Sequence, residues 1–218
     1  IKNEISSSTA RQLILSNDQQ GQVGVGGTIV YIHNLKNTGT ITEGADQGSI
    51  VKLKVSPQKL DDNFIYSLYY DVNRDGKIDS SDKFIDANTD LNSLSAGLGI
   101  APDRDIQILL KVQAPVTATH GVVSVADIIV EAGTFANIKL DNLKNTDVTT
   151  VSTTAMQLLK YQVKAPSCAM SFNQANVASL SFSAQPLVIK PNECVIYKLE
   201  VENRGSSIVT NVHFQDAV

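Results

Sequence analysis

The chain has 218 residues, which is enough for one large or two small domains with hydrophobic cores of their own. Charged residues make up 18% of the chain and hydrophobic residues 42%, a balance that excludes an intrinsically disordered protein. The net charge of −4, without a basic patch, argues against nucleic acid or an anionic membrane surface as the partner.

The sequence has the features of an exported protein. No run of 18 apolar residues is present, so no membrane span is predicted. Thr, Ser, Val, Asn and Asp are abundant and Trp is absent, which is typical of secreted β proteins. Ile1 is not preceded by a charged-then-apolar leader. We therefore expect an extracellular or cell-surface location, with either a removed signal peptide or a fragment of a longer protein.

Alternating apolar and polar residues predict many short strands and almost no helix. In chain order, strand patterns cover residues 29–35, 51–55, 64–70, 106–113, 122–130 and 154–163. Asp127 interrupts the fifth of these. The last is compatible with a strand or a short helix, and we choose the strand. Gly, Pro, Asn and Asp lie between the patterns, and this spacing predicts an all-β antiparallel sandwich.

Residues 71–82, Asp-Val-Asn-Arg-Asp-Gly-Lys-Ile-Asp-Ser-Ser-Asp, have the spacing of a calcium-binding loop. Gly76 stands at the sixth position, where the chain must turn sharply around the ion. A hard cation takes about six to eight oxygens and would relieve the repulsion among four carboxylates. The alternative is a solvated acidic turn. The predicted Ca²⁺ ligands are Asp71, Asn73, Asp75, Lys77 through its backbone carbonyl, Asp79 and Asp82.

The flanks of this loop indicate a structural site and not a calcium sensor. An EF-hand or a dockerin places helices beside the loop, whereas residues 64–70 have a strand composition. No apolar stripe at helical spacing follows residues 83–86. The loop resembles that of dockerin modules, which carry the same Asp-Val-Asn-x-Asp-Gly and also end in Asp. We expect it to join two strands and to stiffen a β domain when calcium binds.

The two cysteines lie in the last quarter of the chain. Cys168 and Cys194 are an even pair in an export-like composition, which predicts a disulfide and an oxidising compartment. Closing a loop of about 25 residues would contribute roughly 3 kcal/mol in the chain-entropy model. The alternative is two buried thiols.

The sequence contains an internal repeat. In the first copy Tyr31 is followed by Asn37-x-Gly39, and in the second copy Tyr197 is followed by Asn203-x-Gly205 at the same offsets. In each copy an apolar strand runs into an Asn-x-Gly turn. The repeat predicts a first module over residues 1–164, with the calcium loop inserted, and a second, incomplete module over residues 165–218.

These motifs resemble a family of bacterial surface repeats with an immunoglobulin-like sandwich, the domain of unknown function number eleven. Its modules read Tyr-x-Leu-x-Val-x-Asn-x-Gly, then Val-Thr-Asn-Val and an Asp, as from Tyr197 to Asp216. Relatives in large exported proteins of Gram-negative bacteria read Gly-Gly-Thr-x-Val-Tyr-x-His-x-Leu-x-Asn-x-Gly, as from Gly26 to Gly39, and carry the Leu-Tyr-Tyr-Asp-x-Asn-x-Asp-Gly of Leu68 to Gly76. The resemblance implies two immunoglobulin-like modules and no shared enzymatic role.

From these features we expect a structural subunit of an extracellular bacterial filament or surface fibre. Its partners would be copies of itself in a polymer or tandem modules of one surface protein. An incomplete sandwich exposes a sheet edge, and a strand from a neighbouring subunit, residues 1–20, is the predicted donor. The alternatives are the stalk or an N-terminal fragment of a large adhesin and a non-catalytic carbohydrate-binding module.

No catalytic constellation is recognisable, so an enzyme is not expected. His33, His120 and His213 are scattered along the chain, and His33 is predicted to lie in the core. No nucleophile elbow, zinc-binding helix motif or phosphate-binding glycine loop is present.

Overall fold

The computed structural model describes residues 9–45, 49–59, 63–135, 137–154, 156–171, 173–184, 187–205 and 208–213. No helix among these residues is long and apolar enough to cross a membrane. The elements are β1 (Leu13–Leu15), β2 (Gln19–Val23), β3 (Thr28–Asn37), β4 (Val51–Pro57), β5 (Ile65–Asp71), β6 (Lys83–Ile85), α1 (Leu91–Leu94), β7 (Asp105–Gln113), β8 (Val123–Ala132), β9 (Leu143–Val151), β10 (Met156–Lys164), α2 (Gln174–Ala178) and β11 (Val195–Asn203).

Nine of the strands form a two-sheet sandwich with one shared core. One sheet has the order β1-β3-β7-β5-β6, and the other has the order β2-β9-β8-β4. Their inward side chains form a single hydrophobic cluster that runs from Leu13 to Val151 in the sequence. The predicted all-β, immunoglobulin-like sandwich is confirmed by this arrangement.

The N-terminal segment crosses from one sheet to the other. β1 pairs antiparallel with β3, whereas β2 pairs parallel with β9, from Gln19 opposite Asp147 to Val23 opposite Val151. The sequence pattern predicted a purely antiparallel sandwich, and the parallel pairing of β2 with β9 is the exception to it. This segment includes most of the predicted donor strand, whose residues 1–8 lie outside the described part of the chain.

β10 and β11 form a separate two-stranded antiparallel sheet, from Met156 opposite Asn203 to Lys164 opposite Val195. β10 is a strand, as predicted. The pairing joins residues on both sides of the predicted module boundary at 164/165, and the division of the chain into modules stays a prediction.

The internal repeat has the same local geometry in both copies. The Asn37 Oδ1 accepts a hydrogen bond from the Gly39 amide at 2.9 Å, and the Asn203 Oδ1 accepts one from the Gly205 amide at 2.9 Å. Asn37 is the last residue of β3, which pairs with β1, and Asn203 is the last residue of β11, which pairs with β10. In both cases the partner strand comes earlier in the chain. The repeated motif thus corresponds to a repeated strand-and-turn unit.

The other predicted strands are also present, with small shifts at their ends. Asp127 does not interrupt β8, because its half-buried side chain leans outward and accepts hydrogen bonds from Thr146 and Gln58. β1 lies within the predicted donor segment, residues 1–20, but pairs with β3 of the same chain. β2 and β9 were not predicted as strands of the sandwich, nor were the two short helices.

Candidate metal centre

The predicted calcium loop joins β5 to β6 at one edge of the five-stranded sheet. β5 ends at Asp71, which is fully buried, and β6 begins at Lys83. The prediction that the loop joins two strands is confirmed, and its first proposed ligand is anchored by the sheet itself.

The backbone of the loop makes two left-handed turns. Arg74 has a φ of 61° and Gly76 a φ of 75°. A Cβ at position 76 would lie 2.8 Å from the Ile32 Cδ1, the movable end of a side chain, so the left-handed φ is the main reason for glycine here.

Loop carboxylates hold this turn by accepting hydrogen bonds from backbone amides. The two Asp71 oxygens accept from the amides of Arg74 at 2.6 Å and Gly76 at 2.9 Å. The two Asp82 oxygens accept from the amides of Val72 at 3.2 Å and Asp79 at 2.8 Å. Residues at loop positions 1 and 12 therefore close the loop from opposite ends.

The other proposed ligands follow the same pattern. The Asp75 Oδ1 accepts from the Lys77 amide at 2.8 Å, and the Asn73 Oδ1 accepts from the Asp75 amide at 3.2 Å. The Asn73 amide group donates to the Asp79 Oδ2 at 2.9 Å. All six residues of the predicted ligand set lie in one compact turn.

The carboxylates of the loop repel one another. Burial raises the pKa of Asp71, and the carboxylates of Asp82 and Asp75 raise it further. Hydrogen bonds from the Ser81 hydroxyl and amide lower the pKa of Asp79. A cation among these groups would remove the repulsion.

The proposed ligand atoms suit Ca²⁺, because all of them are carboxylate, amide or carbonyl oxygens. A carboxylate has about four lone-pair sites, so one that accepts a backbone hydrogen bond can also bind a cation. However, no group of three or more Asp, Glu, His or Cys side chains in the described residues is arranged to hold a metal ion. Calcium binding by Asp71, Asn73, Asp75, Lys77, Asp79 and Asp82 therefore stays a prediction, and it requires these oxygens to converge on the ion.

The loop also packs against the β10–β11 pair, a contact that the sequence did not predict. The Lys77 Nζ lies 3.7 Å from the Glu200 Oε1 on β11. The Tyr161 hydroxyl on β10 lies 3.6 Å from the position that a Cβ on Gly76 would take. Burial raises the pKa of Tyr161 to about 12, with contributions from Glu200 and Asp75.

The disulfide lies beyond this contact, in the segment between β10 and β11. Cys168 and Cys194 are joined with an S–S distance of 2.00 Å, which is the pairing that the sequence predicted. The Lys164 Nζ contacts the Glu193 Oε1 at 2.5 Å beside it.

The histidines do not form a site together. His33 is fully buried, and its Nε2 lies 2.8 Å from the Asp147 Oδ2, while Asn145 lies against its other ring nitrogen. His120 and His213 are exposed. The predicted placement of His33 in the core is confirmed.

The tyrosines beside the loop do not form a flat aromatic face. Tyr66 and Tyr70 pack against the core, and the Tyr66 hydroxyl contacts that of Ser124. Tyr69 lies on the opposite face of β5, with its ring 5.5 Å from that of Phe84.

The chain matches no known protein-family model and no curated protein sequence. Among solved structures it is similar to a family 123 glycoside hydrolase from Clostridium perfringens, at 11% identity and a TM-score of 0.41 over 66% of this chain and 27% of the hydrolase. The chain therefore spans about a quarter of that enzyme.

Two fimbrial proteins are similar at the same level. The major subunit of aggregative adherence fimbriae type I from Escherichia coli is 11% identical with a TM-score of 0.32, over 69% of this chain and all of that one. The CooA pilin subunit from enterotoxigenic Escherichia coli is 11% identical with a TM-score of 0.33, over 64% and 98%. At these values none of the likenesses carries an argument about function, and the fold assignment rests on the strand pairing described above.

Proposed function

We propose that the protein is a non-catalytic structural component of a bacterial surface fibre or adhesin stalk, exported to an oxidising compartment and stiffened by calcium. The observation that carries the proposal is the repeated strand-and-turn unit with its conserved side-chain hydrogen bond, since repeated modules of one fold are common in extended proteins. The disulfide and the resemblance to bacterial surface repeats support the location.

The calcium part of the proposal rests on the loop between β5 and β6. Asp71, Asn73, Asp75, Asp79 and Asp82 would supply side-chain oxygens and Lys77 its carbonyl. Isothermal titration calorimetry of the chain should show one calcium site, and Asp75→Asn should weaken it because one carboxylate ligand becomes neutral. Asp141→Asn is the matched control, because Asp141 is exposed and lies outside the loop. A variant with Asp75→Asn that binds calcium as the unmodified chain does would contradict the assigned ligands.

The proposal of assembly into a fibre rests on a difference between β3 and β11 in the number of strands that pair with them. β3 pairs with β1 on one side and β7 on the other, whereas β11 pairs with β10 alone among the described strands. The exposed part of the pair includes Leu158, Tyr197 and Val201. A strand of a second copy could take on β11 the place that β7 takes on β3.

The donor for such an assembly has to come from outside the strands of the sandwich. β1 and β2 already pair within the chain, so residues 1–8 are the part of the predicted donor segment to test. Negative-stain microscopy with calcium should show filaments that disappear when residues 1–8 are deleted. Monomers in calcium and in chelator would favour the stalk of a larger adhesin instead. Binding on a glycan array would favour the carbohydrate-binding alternative.

A further inference from the structure

The sandwich and the β10–β11 pair meet in a joint, where β10 lies against β2 and polar contacts are made at several points. The Gly24 amide donates to the Arg204 carbonyl at 2.8 Å, and the Gln157 side chain donates to the Val30 carbonyl at 3.4 Å. The third contact is the calcium loop, through Gly76 against Tyr161 and Lys77 against Glu200. The joint is therefore held at one end by Gly24 and at the other by the loop.

The space between these contacts is not filled. A cleft of about 560 Å³ lies between β3, the loop and β11, and a second cleft of about 540 Å³ lies between the loop, Tyr161 and Lys198. Protein interiors are close-packed and leave few voids larger than a water molecule. Both clefts are open to solvent, so at these places the two parts are separated by water-accessible space and not by packed side chains.

Two oxygens in the joint are buried without hydrogen-bond partners in the described residues. They are the Tyr161 hydroxyl and the Glu200 Oε2. Tyr161 is 2% exposed, and its hydroxyl points at the loop beside Gly76. The Lys198 ammonium group lies 3.8 Å from the Glu200 Oε2 and 4.4 Å from the centre of the Tyr161 ring, so Lys198 and Lys77 share Glu200 on the side of the joint where Tyr161 is buried.

Lys77 connects the loop to the joint. Its carbonyl is a predicted calcium ligand and its amide donates to Asp75, while its ammonium group lies 3.7 Å from Glu200. Any rearrangement that brings the Lys77 carbonyl onto an ion also moves the side chain that faces β11.

We propose that the calcium loop is a lock for this joint: calcium bound at residues 71–82 fixes the β10–β11 pair against the sandwich through Lys77, Glu200 and Tyr161. This inference rests on the calcium site of the proposed function. It adds that calcium sets the angle between successive parts of a fibre, beyond stiffening the sandwich alone. Because binding couplings are reciprocal, docking of the β10–β11 pair raises the calcium affinity by the same factor.

The Gly24 amide reports the state of the joint directly. Its hydrogen exchange is measured by NMR on the 218-residue chain, with calcium and with chelator. We expect calcium to slow the exchange by about fivefold or more, the lower end of typical couplings between sites. The Ala114 amide, bonded to the Gly27 carbonyl inside the sandwich, is the internal reference and should change little.

Charge reversal at the joint tests whether the effect of calcium passes through the Lys77–Glu200 contact. Glu200→Lys leaves the loop sequence intact, removes the carboxylate that Lys77 shares with Lys198 and places three lysines together, so the effect of calcium on Gly24 should be lost. The exchange Lys77→Glu with Glu200→Lys restores an ion pair at unchanged net charge and should restore the effect. The matched control is Glu193→Lys, which breaks the pair between Lys164 at the end of β10 and Glu193 just before β11, away from the loop.

The outcomes separate this inference from the proposed function. Calcium binding in calorimetry with unchanged Gly24 exchange would overturn the lock and leave the calcium site standing. Absence of calcium binding would overturn both. A loss of the effect in the Glu193→Lys control as large as in Glu200→Lys would also overturn the lock, since the response would then reflect overall charge.

Discussion

A fully buried ion pair attaches the N-terminal segment to the sandwich. Arg11 and Glu43 form a two-bond ion pair at 2.8 Å, with both side chains fully buried. Arg11 also donates to the carbonyls of Gly133 and Ile138 at 2.7 and 2.6 Å. This one side chain ties the segment before β1 to a loop on the opposite sheet.

Replacing Arg11 by Met should destabilise the protein by about 3–5 kcal/mol, because the Glu43 carboxylate would be left buried without its partner. The double variant Arg11→Met with Glu43→Leu should recover much of this loss. Urea unfolding measures both. Lys54→Ala, which breaks the exposed Lys54–Glu131 pair, is the control and should cost less than about 1 kcal/mol. A loss that small for Arg11→Met would show that the buried pair adds little.

The position of a single residue could be predicted from the sequence where a local motif or a strand alternation determines it. The predicted calcium ligands lie in one turn because the motif is local, and His33 is buried because it alternates with apolar neighbours on β3. The contact of Lys77 with Glu200 joins residues from distant parts of the chain. No local pattern encodes such a contact, so it could not have been predicted.

Among the elements, β9 shows most clearly why a strand can be missed. Its buried side chains include Asn145, Asp147 and Thr149, so its inward face is polar. These groups bind His33 and the Tyr31 hydroxyl from the opposite sheet. The strand is stabilised by this buried polar network, and a search for apolar alternation does not detect it. β2 was missed for a related reason, since Gln19–Val23 is mostly polar and pairs parallel with β9.

The short helix α1 depends on its N-cap and on two buried leucines. The Asp90 side chain accepts from the Ser93 amide at 2.9 Å, and Leu91 and Leu94 pack into the core. This bond, with help from the Ser93 hydroxyl and Lys52, lowers the pKa of Asp90. The stabilisation is therefore present above the unfolded pKa of about 3.9 and is lost as the pH falls through the lower folded value.

We expect Asp90→Ala to cost about 1 kcal/mol at neutral pH, and we expect this difference to shrink when the pH is lowered below 3.9. Asp90→Asn is the matched control, because Asn caps helices as well as Asp and does not titrate. Urea unfolding across this pH range measures both variants. A cost of Asp90→Ala that does not change with pH would mean that the ionised carboxylate is not the stabilising group.

At the scale of the whole molecule, the hydrophobic cores of the two parts differ greatly in size. The shared cluster of the sandwich lies between residues 13 and 151, whereas Tyr161, Ala165 and Ile196 are the buried apolar residues of the following segment among those described. The β10–β11 pair therefore depends on the sandwich and on the disulfide for its stability, since isolated two-stranded sheets are marginal in water. This dependence makes its docking sensitive to single contacts at the joint.

Gly24 provides a backbone hydrogen bond at the end of the joint away from the loop of residues 71–82. A Cβ at this position would collide with the Arg204 carbonyl oxygen and would lie 3.2 Å from the Gly205 Cα. Gly24→Ala should therefore separate the β10–β11 pair from this end of the sandwich while the shared core stays intact. We expect faster proteolysis within residues 156–205 and little change in the main unfolding transition.

Gly133→Ala is the matched control, because its Cβ would meet nothing closer than 3.5 Å, an ordinary contact. If Gly24→Ala leaves proteolysis in residues 156–205 unchanged, the hydrogen bond to Arg204 does not hold the joint. The loop of residues 71–82 would then make the main contact between the β10–β11 pair and the sandwich. In that case Glu200→Lys alone should increase proteolysis in residues 156–205. If instead both variants release the pair, both ends of the joint are needed to hold it against the sandwich.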